Sequence, residues 1–183
     1  MSDIFVLKNG KSVYYRKLQK GDEQALVRFN NELSEHSRNL FMPHSYDADT
    51  LKKVIERAEN GHDLVYIALD GDRVIAYFFL WWVDTPFPVL GIGILDEYHG
   101  QGLGRQIMNR LIDDAKQAGC DAIELTTALD NKIAYSLYER VGFKCLGEVD
   151  NVAGDGRIIR EWHMYYPIKP NVIPPPRRHC APV

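Results

Sequence analysis

The sequence predicts an α+β domain with a mixed central sheet of about six or seven strands flanked by helices. Hairpins come first, and a strand–helix–strand–helix–strand succession follows in the second half. That succession contains one parallel crossover, so the chain is not a repeated βαβ array. At residues 92–105 an apolar strand also runs through a glycine-rich turn directly into a helix.

Length and composition indicate one domain, which we place at residues 1–168, followed by a Pro/Arg-containing tail at 169–183. The 183 residues are 45% hydrophobic and 26% charged, with a net charge of −3. Proteins that bind mainly nucleic acid usually carry a basic excess, so we expect no nucleic acid partner. The longest apolar run, residues 74–83, is far shorter than a membrane span, and no signal peptide is visible, so we expect no membrane partner.

Three cysteines without a CxxC pair or a nearby histidine cluster favour a reducing cytoplasm, with no metal site. Cys120 and Cys145 are interpreted as ordinary core cysteines. One follows a helix stop and the other lies in a closing strand, so we do not expect either to act as a nucleophile that forms a covalent intermediate.

The elements follow from apolar periodicity and from capping and turn residues. Asp22, Asp49 and Asp130 are predicted helix caps, and Asp70-Gly71-Asp72 is a predicted hairpin turn. The strand at 73–83 is apolar on both faces, which predicts a central position. The predicted strands cover residues 4–7, 12–18, 63–69, 73–83, 89–95, 122–128, 143–149 and 158–168.

The first chemical motif is the turn at residues 99–105, with glycines at three alternate positions. Glycine permits sharp backbone turns and leaves the N–H groups uncovered by side chains. Because these donors lie at a helix N-terminus, where the dipole favours anions, the turn is suited to holding a pyrophosphate.

The turn could also be a glycine-rich loop without a ligand. A Rossmann dinucleotide site requires G-x-G-x-x-G, whereas the chain has G-x-G-x-G. The acidic residue that would bind the ribose, Glu124, lies inside a predicted strand. A P-loop is excluded because no Lys-Ser/Thr follows.

The second motif, at residues 131–143, reads Asn-Lys-Ile-Ala-Tyr-Ser-Leu-Tyr-Glu-Arg-Val-Gly-Phe. With both motifs at this spacing, residues 12–167 resemble the GCN5-related N-acetyltransferase (GNAT) superfamily. The resemblance implies the GNAT fold, acetyl-CoA as co-substrate, and transfer of the acetyl group to a primary amine of a small molecule or protein.

The resemblance also implies roles for individual residues. Asn131 takes the position that contacts the pantetheine arm, and Tyr138 the position beside the thioester sulfur, where it would act as catalytic acid. His99 stands where the family usually has Gln or Arg, and Arg105 could supply the charge that the His lacks. The implied cofactor-binding set is Ile94, Leu95, His99, Gly100, Gln101, Gly102, Leu103, Gly104, Arg105, Asn131, Ala134, Tyr138 and Arg140.

The expected chemistry needs an oxyanion donor and a proton donor. In the family a backbone N–H at the end of the strand before the glycine turn binds the oxyanion, here Ile94 or Leu95. A phenol, with an ordinary pKa near 10, stays protonated at neutral pH and can donate to a departing thiolate. Tyr138 could instead make only a positioning hydrogen bond, and Arg140 could be a solvated surface residue.

The sequence offers several candidates for the base and for the acceptor site. The base could be a water chain, and the candidate side chains are Glu124, His36, His44, Asp84 and Glu97. The acceptor groove is expected along residues 34–46, 81–84 and the loop around Gly154. Side chains that could face it are His36, Arg38, His44, Tyr46 and Trp82.

Alternatives to acetyl transfer stay open: transfer of a longer acyl group, a non-catalytic acyl-CoA-binding module, or a protein-interaction domain that docks partners through the proline-rich tail. Retention of Tyr138 favours catalysis over mere binding. A homodimer is expected through the apolar closing strands.

Overall fold

The computed structural model describes residues 4–175 and 182–183, which form one eight-stranded mixed sheet in the order β1-β2-β3-β4-β5-β6-β8-β7. The strands are β1 Ile4–Val6, β2 Ser12–Lys17, β3 Leu64–Asp70, β4 Arg73–Trp81, β5 Val89–Ile94, β6 Ala122–Ala128, β7 Lys144–Val152 and β8 Ile158–Pro167. The helices are α1 Glu23–Glu32, α2 Glu35–Leu40, α3 Ala48–Glu59, α4 Leu103–Gln117 and α5 Lys132–Val141. The tail's Arg177-Arg178 pair and Cys180 lie outside the described residues.

The predicted α+β architecture is confirmed. The sheet has eight strands instead of six or seven, because even the three-residue β1 pairs with β2. As predicted, β4 is central: every residue after Arg73 is buried. Its odd positions face α1 and α2, where Tyr77 contacts Phe29 and Phe41. Its even positions face the opposite side, where α4 places Arg110 against the ring of Tyr66, which stacks on β4.

Two of the predicted caps are displaced along the chain. The side chain of Asp47, not Asp49, caps α3 by accepting from Thr50 N–H. Asn131, not Asp130, caps α5, because its Oδ1 is placed to accept from Ala134 N–H. Asp22 stands at the predicted N-cap of α1, but its carboxylate binds Arg16 and makes no capping bond.

Two predictions of burial in the C-terminal half were wrong. The apolar pattern of the sequence at 133–141 predicts Ile133 on the inner face of α5, but its side chain is 85% exposed. Cys145 is exposed on the edge strand β7, whereas Cys120 is buried as predicted.

The N-terminal hairpin closes against α4. The Gln106 amide forms two hydrogen bonds with the backbone of Val6, and Lys8 N–H donates to Gln101 O. The turn between β1 and β2 therefore lies beside the glycine-rich turn. Among the described residues, no helix is long and apolar enough to cross a membrane.

Candidate functional site

The site begins where the parallel strands β5 and β6 part. They pair at one position, Val89 with Glu124, near the start of β5, and their remaining residues diverge. We call the resulting opening the notch. Because sheet strands without a neighbour leave backbone donors and acceptors unpaired, the notch offers main-chain hydrogen bonds to a ligand.

The register of β5 shows which donors face the notch. Leu95 N–H is bonded to Ile75 O on the β4 side. Backbone groups alternate in direction along a strand, so the N–H groups of Ile92 and Ile94 point away from β4 and into the notch. Of the two oxyanion donors expected from the sequence, Ile94 thus has its N–H directed into the notch, whereas the N–H of Leu95 is bonded to β4.

The glycine turn lies at the open end of β5. Gly100 and Gly102 have φ of +72° and +82°, a region that L side chains rarely adopt. Gly102 is the N-cap of α4 and brings no side chain to the first-turn N–H groups. These donors are therefore available to an anion, and the fifteen-residue helix adds its dipole.

Charged side chains border this turn. A Cβ on Gly102 would lie 3.7 Å from Cγ of Lys8, so the Lys8 stem packs over the turn, and sequence reasoning had missed this residue. Arg105 is exposed in the first turn of α4, and Arg140 is exposed near the end of α5. His99 is also exposed, and its Nε2 lies 2.9 Å from Ile94 O. Its ring therefore stands at the mouth of the notch, bonded to protein backbone.

Helix α5 brings the second motif to the same place. A Cβ on Gly104 would lie 3.5 Å from Ile94 Cδ1 and 3.6 Å from Leu137 Cδ2, so α4, β5 and α5 meet around Gly104. Asn131 Oδ1 bonds Ala134 N–H, which leaves the amide N–H groups of Asn131 as donors. The two sequence motifs therefore lie next to each other in the folded protein.

The Tyr138 phenol is protonated at any ordinary pH. Burial raises its pKa to about 12, and the negative charge of Glu161 adds to the shift. No side-chain hydrogen bond to its hydroxyl is found among the described residues. The pKa lies above the value near 10 assumed from the sequence, so proton donation to a thiolate is more uphill than expected.

On the α2 side of the sheet, a groove opens from the notch. Its free volume is about 110 Å³. Glycine in β5 is required here, because a Cβ on Gly91 would lie 2.1 Å from the Phe79 ring. The groove is lined by Asn39, Leu40, Phe41, Met42, Pro43, Phe79, Trp81, Val89, Leu90, Gly91, Thr126, Asn151, Val152, Ala153, Ile159 and Glu161.

The loop between β7 and β8 forms one wall of the groove. Gly154 N–H donates to Met42 O at 2.8 Å, and a Cβ on Gly154 would lie 2.5 Å from the backbone of His44. This contact places the loop beside residues 34–46, the two segments in which the sequence predicts an acceptor groove. The tryptophan in the lining is Trp81, however, and not the expected Trp82, which follows the end of β4.

Two of the candidate bases are buried. His44 is 2% exposed; its Nδ1 lies 2.7 Å from Ser45 O and its Nε2 lies 2.9 Å from the Tyr77 hydroxyl. Burial lowers the pKa of His44, so the ring is neutral and is a packing residue of the core. Glu124 is fully buried and its Oε1 lies 3.0 Å from His163 Nε2.

The other candidate bases lie at the surface. Asp84 contacts His62 and Glu97 pairs with Arg73, while His36 is exposed on α2. None of the five candidates lines the groove. Two further expected groove residues are also outside the lining: Arg38 donates to Leu33 O, and the hydroxyl of Tyr46 is buried.

The carboxylate that does line the groove is Glu161, which sequence reasoning had missed. Asn151 Nδ2 donates to Glu161 Oε2 at 2.8 Å and to Thr126 Oγ1 at 3.1 Å. Strand alternation puts Glu161 and His163 on one face of β8, but nothing in the sequence says which face is lined by a groove. Over the described residues, no group of three His, Cys, Asp or Glu side chains is placed to hold a metal ion.

Comparison with known proteins agrees with this geometry. The model of the acetyltransferase (GNAT) family matches residues 27–143, which is more than half of the chain. A curated relative, N-alpha-acetyltransferase 30 of Schizosaccharomyces pombe, is 36% identical over 83 residues, spanning 43% of this chain and 55% of the relative. The aligned region thus spans about half of that relative.

Solved structures show the same fold. The GNAT domain of S. lividans PAT superposes with a TM-score of 0.77 at 14% identity, covering 91% of this chain and 97% of that one. Spermidine N-acetyltransferase from Vibrio cholerae, solved with CoA and spermine, gives 0.67 at 22% identity, covering 85% and 95%. With the notch, the glycine turn and the family match in agreement, the chain belongs to the GNAT family of N-acetyltransferases.

Proposed function

We propose that the protein transfers an acetyl group from acetyl-CoA to a primary amine, of a small molecule or a protein, by direct reaction in a ternary complex. One observation carries this proposal: the first-turn donors of α4, the Ile94 N–H and the helix of Tyr138 converge on one notch in the sheet. On the opposite face, the groove lined by Gly91 of β5 and Thr126 of β6 would receive the amine.

The residues of the glycine turn suit the phosphates of acetyl-CoA. Gln101 to Arg105 would hold the pyrophosphate through main-chain N–H groups, with Lys8 and Arg105 adding positive charge nearby. The side-chain N–H groups of Asn131 make no hydrogen bond among the described residues and would donate to the pantetheine arm, and Ala134 follows Asn131 on the first turn of α5. Arg140 would meet a phosphate at the far end.

The transfer itself needs two donors from this chain. Ile94 N–H, pointing into the notch, would stabilise the oxyanion that develops on the thioester carbonyl. Tyr138 would donate its proton to the sulfur as the carbon–sulfur bond breaks. With its pKa at about 12, the phenol does not lose its proton to solvent before that moment.

The two cysteines that the structure describes support direct transfer over a covalent acyl-enzyme. Burial raises the pKa of Cys120, which disfavours the thiolate needed for nucleophilic attack. Cys145 lies exposed on β7 and is not part of the groove lining.

The similar proteins suggest more than one class of acceptor. The yeast relative is an N-alpha-acetyltransferase, and the V. cholerae structure holds a polyamine. The room beside Ile94 and Tyr138 would decide between acetyl-CoA and a longer acyl-CoA. We also propose a homodimer through the edge of β7, where Leu146 is 37% exposed.

The test is thiol release from acetyl-CoA, followed with a disulfide dye, against a panel of arylalkylamines, polyamines, amino acids and peptides with free N-termini. Amine-dependent release, with the acetylated amine identified by mass spectrometry, would support acetyl transfer. Tight CoA binding without release for any amine would favour a non-catalytic binding module. Release only with a longer acyl-CoA would favour the alternative donor.

A further inference from the structure

Resting on the proposed acetyl transfer, we propose that Glu161, held by Asn151, receives the acceptor's ammonium group. The acceptor is then a primary amine on an uncharged, apolar stem. Its only charge would be the ammonium, so amino acids with a free carboxylate and polyamines would be poor acceptors.

The first support is the anchoring of Glu161. One carboxylate oxygen, Oε2, accepts from Asn151 Nδ2 at 2.8 Å, and the same amide binds Thr126 on the neighbouring strand. The other oxygen, Oε1, has no hydrogen bond among the described residues. A half-buried carboxylate with one oxygen fixed and one open is suited to accept from a charged donor.

The second support is where this carboxylate lies. Glu161 is opposite Ala128, at the end of β6, in the antiparallel β6–β8 ladder. Val89 and Gly91 line the same groove from the β5 side of the notch. The charge of Glu161 also acts on the Tyr138 phenol, raising its pKa, so the carboxylate is near the proton donor. The ammonium bound at Glu161 would lose a proton to water, and the free amine would then be held on the side of the site where the carbonyl reacts.

The third support is the rest of the lining. Apart from Glu161, the polar side chains of the groove are Asn39, Thr126 and Asn151, and the lining contains neither Lys nor Arg. Phe79 and Trp81 stack at 4.0 Å between ring centroids and form an aromatic wall. Such walls favour an apolar stem, and without a cation nothing here would compensate a substrate carboxylate.

The size of the groove suits one ring or a short chain. Its free volume of about 110 Å³ is of the same order as the ~150 Å³ engineered cavity that takes up benzene. A polyamine would place its second ammonium against apolar walls, where the described lining holds no further carboxylate. Both a small arylalkylamine and a peptide N-terminus with an apolar first residue meet these requirements.

The experiment measures KM and kcat for phenethylamine, phenylalanine, spermidine and Met-Leu amide, and phenethylamine affinity by calorimetry in the presence of CoA. We expect phenethylamine or Met-Leu amide to have a higher kcat/KM than phenylalanine and spermidine. The better of the two shows whether the acceptor is a small arylalkylamine or a peptide N-terminus. Glu161→Gln should raise KM and Kd for that amine about 10- to 100-fold, the loss expected for a charged hydrogen bond. The KM for acetyl-CoA should not change.

Asn151→Ala should reproduce part of this effect on amine KM, and kcat should change less than KM. The reason is that the substitution leaves the Glu161 carboxylate in place but removes the amide that positions it. The matched control is Glu148→Gln, which removes the same charge from the same hairpin. Glu148 is opposite Trp162 in the ladder, so it lies on the other sheet face and should leave amine KM unchanged.

Equal KM values for wild type and Glu161→Gln, or phenylalanine as good an acceptor as phenethylamine, would overturn the inference while acetyl transfer stands. Absence of thiol release with every amine would overturn the proposed function. In that case the calorimetric arm still decides about Glu161: wild-type phenethylamine affinity in the Gln variant would refute its role as an ammonium site.

Discussion

Gly102 and Gly104 lie two residues apart in the glycine turn, yet the structure predicts opposite effects when each is replaced by alanine. Gly102 has φ of +82°, so an L side chain there is strained. Gly104 lies within α4 at an ordinary φ, and its Cβ would meet Ile94 and Leu137 at 3.5 and 3.6 Å, which are normal contacts.

The magnitudes follow from backbone energetics. An L residue in the left-handed region costs about 1–2 kcal/mol, partly offset by about 0.4–1 kcal/mol from the less flexible unfolded chain. Gly102→Ala should therefore destabilise the protein by roughly 1 kcal/mol, whereas Gly104→Ala should stabilise it by about 0.5 kcal/mol. At about 2–4 °C per kcal/mol for a domain of this size, the two melting temperatures should differ by about 3–6 °C.

CoA binding should separate the same variants. Gly102→Ala turns the first-turn N–H groups away from the phosphates, and we expect at least a tenfold rise in Kd by calorimetry. Gly104→Ala should bind within about threefold of wild type, while Gly104→Val, whose γ-methyl groups would overlap Ile94 and Leu137, should lose binding but stay folded. Unchanged affinity in folded Gly102→Ala or Gly104→Val protein would refute the backbone cradle.

Three further predictions concern His99, His44 and assembly. His99→Gln should leave the Kd for CoA within roughly tenfold, equivalent to about 1.4 kcal/mol, since its ring bonds Ile94 O; a larger loss in calorimetry would reveal an essential ring contact. Because burial lowers the pKa of folded His44, the unfolded chain takes up a proton first as pH falls below about 6.5, and stability should fall by up to about 1.4 kcal/mol per pH unit. Urea unfolding at pH 7 and 5 should show this loss in wild type and in the exposed-site control His36→Gln, but less in His44→Gln; an equal loss in His44→Gln would contradict it. Light scattering at tens of micromolar should give a dimer, and a monomer there would count against pairing through β7.

The elements that carry the proposed cofactor side of the site were predictable because each motif is local in the sequence. Gly100, Gly102 and the start of α4 follow one another along the chain, and Asn131 and Tyr138 share one helix. Main-chain donors at a helix start depend on glycine positions and on helix direction, both of which are visible in the sequence.

The lining of the groove that we propose for the acceptor was not predictable, because it depends on contacts that are distant in the sequence. Glu161 becomes a groove residue only because β8 lies between β6 and β7 and because Asn151 meets it across a hairpin. His44 looked available in the sequence, but the fold buries it against Tyr77. The sequence could not show which of Trp81 and Trp82 lines the groove, because that depends on where β4 ends.

Replacing Tyr138 by Phe tests the proposed mechanism most directly. The variant keeps the ring and its packing against Phe143, and removes only a phenol whose pKa of about 12 keeps it protonated through the assay range. If Tyr138 protonates the departing sulfur, kcat should fall by on the order of 10²–10⁴ while the Kd for acetyl-CoA stays the same. Wild-type turnover in the Phe variant would contradict the mechanism and leave Tyr138 as a packing residue.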